Sequence, residues 1–172
     1  WGTPLILASK WKRHTDIAKL LLENGADPNI CNKGGDTPLD IAASRGHNDT
    51  VKILVEMGAD PNLCDKIGDT PLIRAAKGGH DSTLKAMLQR GGNVAAKDED
   101  GNTVLDYILN SGWEESWEWS TQNRDSINTL LCLPLDEKWW NATDKSGRTH
   151  LHKACLQNNK VKAQGMLDAG TD

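Results

Sequence analysis

The chain has 172 residues, of which 37% are apolar and 26% charged, and its formal net charge is −4. This length predicts a single domain with its own hydrophobic core. The acidic balance argues against a general nucleic-acid binder, and no apolar run reaches the roughly 18 residues needed to span a bilayer. Neither nucleic-acid binding nor membrane insertion is therefore predicted.

The cysteines fit neither a disulfide scaffold nor a zinc site. Cys31 and Cys64 lie 33 residues apart, Cys132 and Cys155 lie 23 apart, and no Cys-x-x-Cys pair occurs. Disulfide-rich domains carry far more cysteine, and zinc sites use closely spaced ligands. The spacing indicates free thiols in a reducing, cytoplasmic compartment.

A Thr-Pro-Leu motif recurs along the chain at near-constant spacing. It begins at Thr3, Thr37 and Thr70, and altered copies begin at Thr103 and Thr149. The first four copies are 33 or 34 residues apart, and such a period is the signature of a repeat architecture. The predicted repeats of this one domain, residues 1–172, are approximately 1–31, 32–64, 65–97, 98–143 and an incomplete 144–172.

Each repeat encodes two short helices. Thr37 is suited to an N-cap and Pro38 to the first helical position, and Gly46 and Gly58 are suited to end the first and second helix. Neither helix is long enough to be stable alone, so its apolar face must be covered by the next repeat. The pattern predicts an all-α solenoid of stacked helix–turn–helix units.

The repeated pattern also resembles a known family. Asp-x-x-Gly-x-Thr-Pro-Leu, then Ala-Ala-x-x-Gly-His, then Leu-Leu-Leu-x-x-Gly-Ala-Asp-x-Asn is similar to the ankyrin repeat, over the whole chain. The resemblance implies protein–protein recognition through the turn tips and the exposed side of each first helix, here called the inner face. Transferred position by position, the candidate partner-binding residues are Trp11, Arg45, Arg74 and Lys77 on the inner face and Lys33, Lys66 and Ile67 at the tips. This basic cluster suits an acidic segment of a partner, and the alternative is an ordinary solvated surface.

A second candidate surface lies in the fourth repeat. About 11 extra residues, near 112–122, are rich in tryptophan and glutamate, and residues 96–145 hold 11 acidic and 4 basic side chains. Trp113, Trp117 and Trp119 either pack the insertion onto the solenoid or form a binding hot spot. Both interpretations stay open at this point.

No pattern indicates catalysis, and His47 and His80 recur with the repeat, which favours a role in stabilising the turns over a role as metal ligands or bases. Neither an enzyme activity nor a cofactor nor a metal site is predicted. One modification is a hypothesis: Asn29 and Asn62 resemble the context that asparaginyl hydroxylases use in ankyrin repeats. The alternative is that these side chains bond backbone groups in their turns.

The predicted function is a non-catalytic adaptor or scaffold that binds another protein or peptide segment. The alternative is a regulatory domain of a larger enzyme, effector or channel, and a purely structural spacer is a weaker third class. The predicted location is the cytoplasm, or a host cytosol for a secreted effector. The identity of the partner and the oligomeric state do not follow from the sequence.

Overall fold

The computed structural model describes residues 2–110 and Gly147, and all regular structure in this part of the chain is helical. The helices are α1 (Pro4–Ser9), α2 (Thr15–Glu23), α3 (Pro38–Ser44), α4 (Asn48–Glu56), α5 (Pro71–Lys77), α6 (Asp81–Leu88) and α7 (Val104–Asn110). A short 3₁₀ turn, Lys12–His14, separates α1 from α2. The all-α prediction is confirmed for the described residues.

The helices form two layers. The first helices of successive repeats pack in the order α1, α3, α5, α7, and the second helices pack in the order α2, α4, α6. The two helices of each complete pair also contact each other. This is the predicted stack of helix–turn–helix units, observed over three helix pairs and the helix that opens the fourth. The insertion near 112–122 and, apart from Gly147, the fifth repeat lie outside the described residues, so the repeat count and boundaries stay predictions.

Threonine caps start the first helices as predicted. The Thr37 hydroxyl accepts a hydrogen bond from the Asp40 backbone N–H at 3.1 Å, and the Asp40 carboxylate accepts one from the Thr37 N–H at 2.8 Å. This reciprocal capping box satisfies two donors that a helix leaves unpaired at its start. Thr3 and Thr70 cap α1 and α5 with the same hydroxyl bond. The caps therefore start α1, α3 and α5 at the same position of the repeat.

Gly46 ends α3 as predicted and also makes room for the next repeat. Its φ is +63°, a conformation that side chains rarely adopt. A Cβ added there would lie 2.5 Å from the His80 Nδ1, so the imidazole of one repeat packs directly on the glycine of the repeat before it. The missing side chain of Gly46 therefore permits both the sharp turn after α3 and the close stacking of the next repeat.

The core runs between the two layers. Leu39 and Leu72 of the first helices and Leu54 of the second are each 0% exposed, and alanines at the contacts between first helices let the repeats approach closely. Burial of one such leucine contributes about 2 kcal/mol. No helix among the described residues has the length and apolar character needed to cross a membrane.

Candidate partner-binding surface

Stacking of the first helices arranges equivalent residues in rows across the repeats. Counted from the capping threonines, one row of the inner face is Leu7, Ile41, Arg74 and Tyr107, and a second is Lys10, Ser44 and Lys77. At α1 the two rows carry one apolar and one charged residue, Leu7 and Lys10, whereas at α5 both residues are charged, Arg74 and Lys77. Arg74 and Lys77 are the predicted site residues at the charged end.

Trp11 and Arg45 lie at equivalent places in the first two repeats, eight residues after the capping threonine; Trp11 follows the C-cap of α1, and Arg45 is the C-cap of α3. Trp11 is 56% exposed, and Arg45 is exposed as well. Within residues 2–110, neither Arg45 nor the neighbouring Lys10 forms an ion pair. The structure therefore exposes Arg45 and the Trp11 indole, and Lys10 is half-buried.

The turn tips precede the first helices and present the other predicted residues. Lys33, Lys66 and Ile67 are all exposed, and Ile67 is 49% exposed. The tips stack closely, because a Cβ added to Gly35 (φ +88°) would lie 2.9 Å from the Lys66 backbone nitrogen. Each tip is held by a side chain at its base: Asp65 accepts hydrogen bonds from the N–H groups of Ile67 and Asp69, both at 2.9 Å. Asn32 and Asp98 hold the neighbouring tips in the same way.

Arg74 is bound within the molecule. Its Nε donates to the Asp65 carboxylate at 3.1 Å, its Nη2 contacts the same carboxylate, and Nη2 lies 2.8 Å from Asp36 Oδ1. The side chain of Asp65 is 1% exposed and that of Arg74 is 21% exposed. Although burial opposes the charge, the contacts with Asp65 and Asp36 raise the pKa of Arg74. Arg74 thus joins the tips of the second and third repeats.

Lys77 makes the corresponding link to the fourth repeat. Its Nζ donates to both carboxylate oxygens of Asp69, at 2.7 and 2.8 Å, and lies 3.6 Å from Asp98 Oδ2. The same ammonium lies 4.7 Å from the ring centroid of Tyr107, whose hydroxyl donates to Asp98 at 2.5 Å. We call the set Asp36, Asp65, Asp69, Asp98, Arg74 and Lys77 the ion ladder.

Contacts at the ion ladder shift the pKa values of Asp98 and of the neighbouring Tyr107. Burial and the hydrogen bond to Asp98 raise the pKa of Tyr107. Burial opposes the charge of Asp98, but the hydrogen bonds from Tyr107 and from the Asn102 backbone outweigh it and lower the pKa of Asp98. Asp98 is therefore held in its charged form. The four aspartates of the ion ladder pair with Arg74 and Lys77, two of the cations that the sequence predicted to face a partner.

Asp40 is a buried acid that was not among the predicted site residues. It lies where α1 and α5 carry Ile6 and Ile73, and the exposure of all three is 0–1%. One carboxylate oxygen accepts the two Thr37 bonds of the capping box, and the other has no hydrogen-bond partner among the described residues. Burial raises the pKa of Asp40 to about 6. The replacement of isoleucine by aspartate at one place in the repeat is the signal in the sequence.

The histidines hold the repeats together, as predicted for a structural role. The His47 Nδ1 lies 3.0 Å from the Ser9 carbonyl oxygen, and the His80 Nε2 lies 3.3 Å from that of Ser44. Because a carbonyl oxygen only accepts hydrogen bonds, the nitrogen that makes each of these two contacts must carry a proton. No group of three potential metal ligands occurs among the described residues.

The two asparagines proposed for hydroxylation bond the following repeat. The Asn29 side chain donates to the Gly58 carbonyl at 3.2 Å and accepts from the Asp60 N–H at 2.8 Å, and Asn62 bonds Gly91 and Asn93 in the same way. These amides therefore satisfy backbone groups between repeats. Hydroxylation of either residue stays a prediction, and a mass of 16 Da above the expected value in native protein is the measurement that tests it.

Of the predicted thiols, Cys31 and Cys64 are exposed and free. Cys132 and Cys155, and the insertion residues Trp113, Trp117 and Trp119, lie outside the described residues.

Comparison with known proteins gives a family match. A family model described as ankyrin repeats (3 copies) matches residues 1–65 and, in a second match, residues 57–131. The two matches together span about three quarters of the chain. No curated protein sequence matches significantly.

Proposed function

The chain belongs to the ankyrin repeat family, and from this premise we propose that it is a non-catalytic adaptor or scaffold that binds another protein. Ankyrin repeats are generally protein–protein interaction modules. The proposed location of this activity is the cytoplasm, or a host cytosol for a secreted effector. The proposed contact surface comprises the inner face and turn tips of the early repeats.

One observation carries this proposal: Trp11 is 56% exposed beside two cations without ion-pair partners among the described residues. Tryptophan and arginine are among the residues most enriched at binding hot spots, and Trp11 is exposed together with Leu7 of the same repeat. Lys33, Lys66 and Ile67 extend the exposed surface to the tips. Arg74 and Lys77 contribute to this surface mainly by holding its shape, because their charges are already paired.

A second contact surface is proposed at Trp113, Trp117 and Trp119, on the strength of the sequence alone. These residues alternate with glutamates, which would favour a basic or apolar partner segment. The second candidate function is a regulatory domain of a larger enzyme, effector or channel, and the same surfaces would then bind another part of that protein.

Affinity capture tests the proposed function. The immobilised domain is incubated with cytosolic extract, and bound proteins are identified by mass spectrometry for the wild type, for Trp11→Ala and for the triple Trp113/Trp117/Trp119→Ala variant. Met57→Ala is the matched control, because it removes a side chain of α4's C-cap that is 44% exposed. Circular dichroism on each variant separates lost binding from lost folding.

We expect a specific protein that is retained by the wild type and by Met57→Ala and is lost from one of the tryptophan variants. Equal capture by all folded variants, or no specific protein at all, would contradict the proposal.

A further inference from the structure

The ion ladder is complete at the third repeat and incomplete at the first. Lys77 is paired with Asp69, which precedes the capping threonine of its own repeat, and with Asp98 at the base of the next tip. Lys10 occupies the equivalent place in the first repeat. The two positions that correspond to Asp69 and Asp98 are there Gly2 and Asn32. Lys10 therefore has the same position in its repeat as Lys77 but lacks both of the carboxylates that pair with Lys77.

The chain cannot easily supply the missing charge from these positions. A Cβ added to Gly2 would lie 2.6 Å from the Ile6 Cγ2, so a side chain is excluded there without a shift of α1. Asn32 keeps the turn-holding role of its equivalents, since its Oδ1 accepts from the Gly34 and Asp36 N–H groups at 2.7 and 3.1 Å. It differs from Asp65 and Asp98 in having no charge and in donating a hydrogen bond from its Nδ2 to Asp36 Oδ2 at 2.8 Å.

The surroundings of Lys10 are apolar as well as cationic. Leu7 is 39% exposed and Trp11 56% exposed, and Ile41 of α3 lies half-buried next to Leu7 in the same row. Arg45, without an ion pair in the described part of the chain, lies beyond them at the end of α3. We call Leu7, Lys10, Trp11, Ile41 and Arg45 the inner strip. Large apolar side chains together with unpaired cations favour an acidic ligand that also carries apolar groups.

We infer that the inner strip binds an acidic segment of a partner protein, and that a carboxylate of this segment pairs with the Lys10 ammonium, as the carboxylates of Asp69 and Asp98 pair with Lys77. This inference rests on the proposed function and adds the chemistry of the partner and the point of contact. The partner segment carries at least one large apolar side chain, which packs on Leu7 and Trp11. The contact ends at α5, because Arg74 and Lys77 are already paired.

A nucleic acid is the competing anionic ligand, and the strip does not favour it. Phosphate backbones bind through many cations and gain little from exposed leucine and isoleucine. The tip of the fourth repeat adds Glu99 and Asp100, both exposed, which repel a polyanion lying along the solenoid.

Two displayed libraries of 12-residue peptides test the inference. Both carry apolar residues at the same positions, and the remaining positions are Asp and Glu in one library and Lys and Arg in the other. The tightest peptides are then measured by fluorescence polarisation against the wild type, Lys10→Gln, Arg45→Gln and Asn32→Asp. Lys52→Gln, which removes an exposed cation of α4, is the matched control.

Asn32→Asp is the sharpest of these variants because it removes no cation. It provides Lys10 with an internal carboxylate like that of Asp98 beside Lys77, so it should compete with the peptide. Because it also replaces the hydrogen bond from Asn32 Nδ2 to Asp36 Oδ2 by two facing carboxylates, circular dichroism and urea unfolding establish that this variant is folded before binding is measured. We expect binders from the acidic library, an affinity at least fivefold weaker in Lys10→Gln, Arg45→Gln and Asn32→Asp, and a change of less than twofold in Lys52→Gln.

Peptides from the basic library alone, or acidic peptides indifferent to Lys10→Gln and Asn32→Asp, would overturn the inference but leave the proposed recognition function standing. A single-stranded DNA oligonucleotide that binds more tightly than the peptides and depends on Lys10 would overturn it in favour of a nucleic acid. If neither library gives a binder to any surface of the folded domain, the inference fails, and peptide recognition by the inner face fails with it.

Discussion

The inner face has two ends that look alike in sequence and differ in structure. The α1–α3 end carries Lys10 and Arg45, and the α5–α7 end carries Arg74 and Lys77. The first two cations, a half-buried Lys10 and an exposed Arg45, form no ion pairs among the described residues, whereas the second two are bound to four aspartates from three successive tips. The number of cations is the same, so the difference arises from the carboxylates around them. A basic residue on a repeat surface is available to a partner only where the stacked repeats supply no acid.

The largest expected contrast between the two ends is in stability. Arg74→Gln leaves the Asp65 carboxylate, 1% exposed, without its cation, and loss of one member of a buried pair is expected to cost about 2–4 kcal/mol. Arg45→Gln changes an exposed side chain and should stay within about 0.5 kcal/mol of the wild type. Urea unfolding followed by circular dichroism measures both, since urea carries no charge that would screen the ion pairs. Equal unfolding midpoints for the two variants would contradict the difference between a paired Arg74 and an unpaired Arg45.

The next largest effect is expected at the buried carboxyl of Asp40, in the variant Asp40→Asn. The pKa of Asp40 is raised from 3.8 to about 6 in the folded state, so the folded protein binds this proton more tightly than the unfolded chain. Stability from this group is therefore present below pH 3.8 and is lost as the pH rises through about 6. Asparagine carries no charge and keeps one oxygen for the Thr37 bonds.

At pH 7 we expect Asp40→Asn to be more stable than the wild type by roughly 1–3 kcal/mol, and the gain should disappear near pH 4. The difference between the two proteins is the quantity to plot against pH, because other titrating groups largely cancel in it. A difference that does not vary with pH would show that the carboxyl is not the cause.

Lys77→Met examines the half-exposed part of the ion ladder. The methionine keeps most of the apolar stem but removes the charge near Asp69, Asp98 and Tyr107. Because the side chain of Lys77 is 34% exposed, the expected loss is only about 1–2 kcal/mol. The loss should shrink in high salt, which screens a partly exposed pair. A loss that is independent of salt would assign the effect to packing.

The smallest effect expected is a titration shift. Tyr107 is the only tyrosine in the chain, so the phenolate absorbance reports on it alone. Burial and the hydrogen bond to Asp98 raise its pKa, so the folded protein should ionise above the ordinary value of about 10. Asp98→Asn, which removes the negative charge, should lower the pKa of Tyr107 toward that value. An unchanged titration in this variant would contradict the contact.

Local features of the fold were predictable because they depend on neighbours in the chain. The Thr37 cap, the Gly46 turn and the structural role of His80 all follow from a few adjacent residues, and the structure confirms them. The ion ladder was not predicted, because it depends on which residues of other repeats stacking brings together. Arg74 and Asp36 are 38 residues apart in the chain and 2.8 Å apart in space.

A signal for the ion ladder is nevertheless present in the sequence. Asp36 and Asp69 both precede a capping threonine, and Asp65 and Asp98 both begin a tip, so the acids recur in register with the period. The cations break this register, because Arg74 replaces the apolar residues Leu7 and Ile41. A change of residue class at one position of a repeat, beside acids at fixed positions, indicates internal pairing.

Arg74 is bound by Asp65 and Asp36, whereas Arg45 has no ion pair among the described residues, and side-chain NMR signals of the arginines report on this difference. In a proton–nitrogen correlation spectrum near neutral pH, the Arg74 Nε–H should exchange slowly with water, because it donates to the buried Asp65 carboxylate at 3.1 Å. The Arg45 Nε–H should exchange fast, and single Arg→Gln variants assign the two signals. Slow exchange at Arg74 and fast exchange at Arg45 is the result predicted, and equal exchange at both would contradict the account.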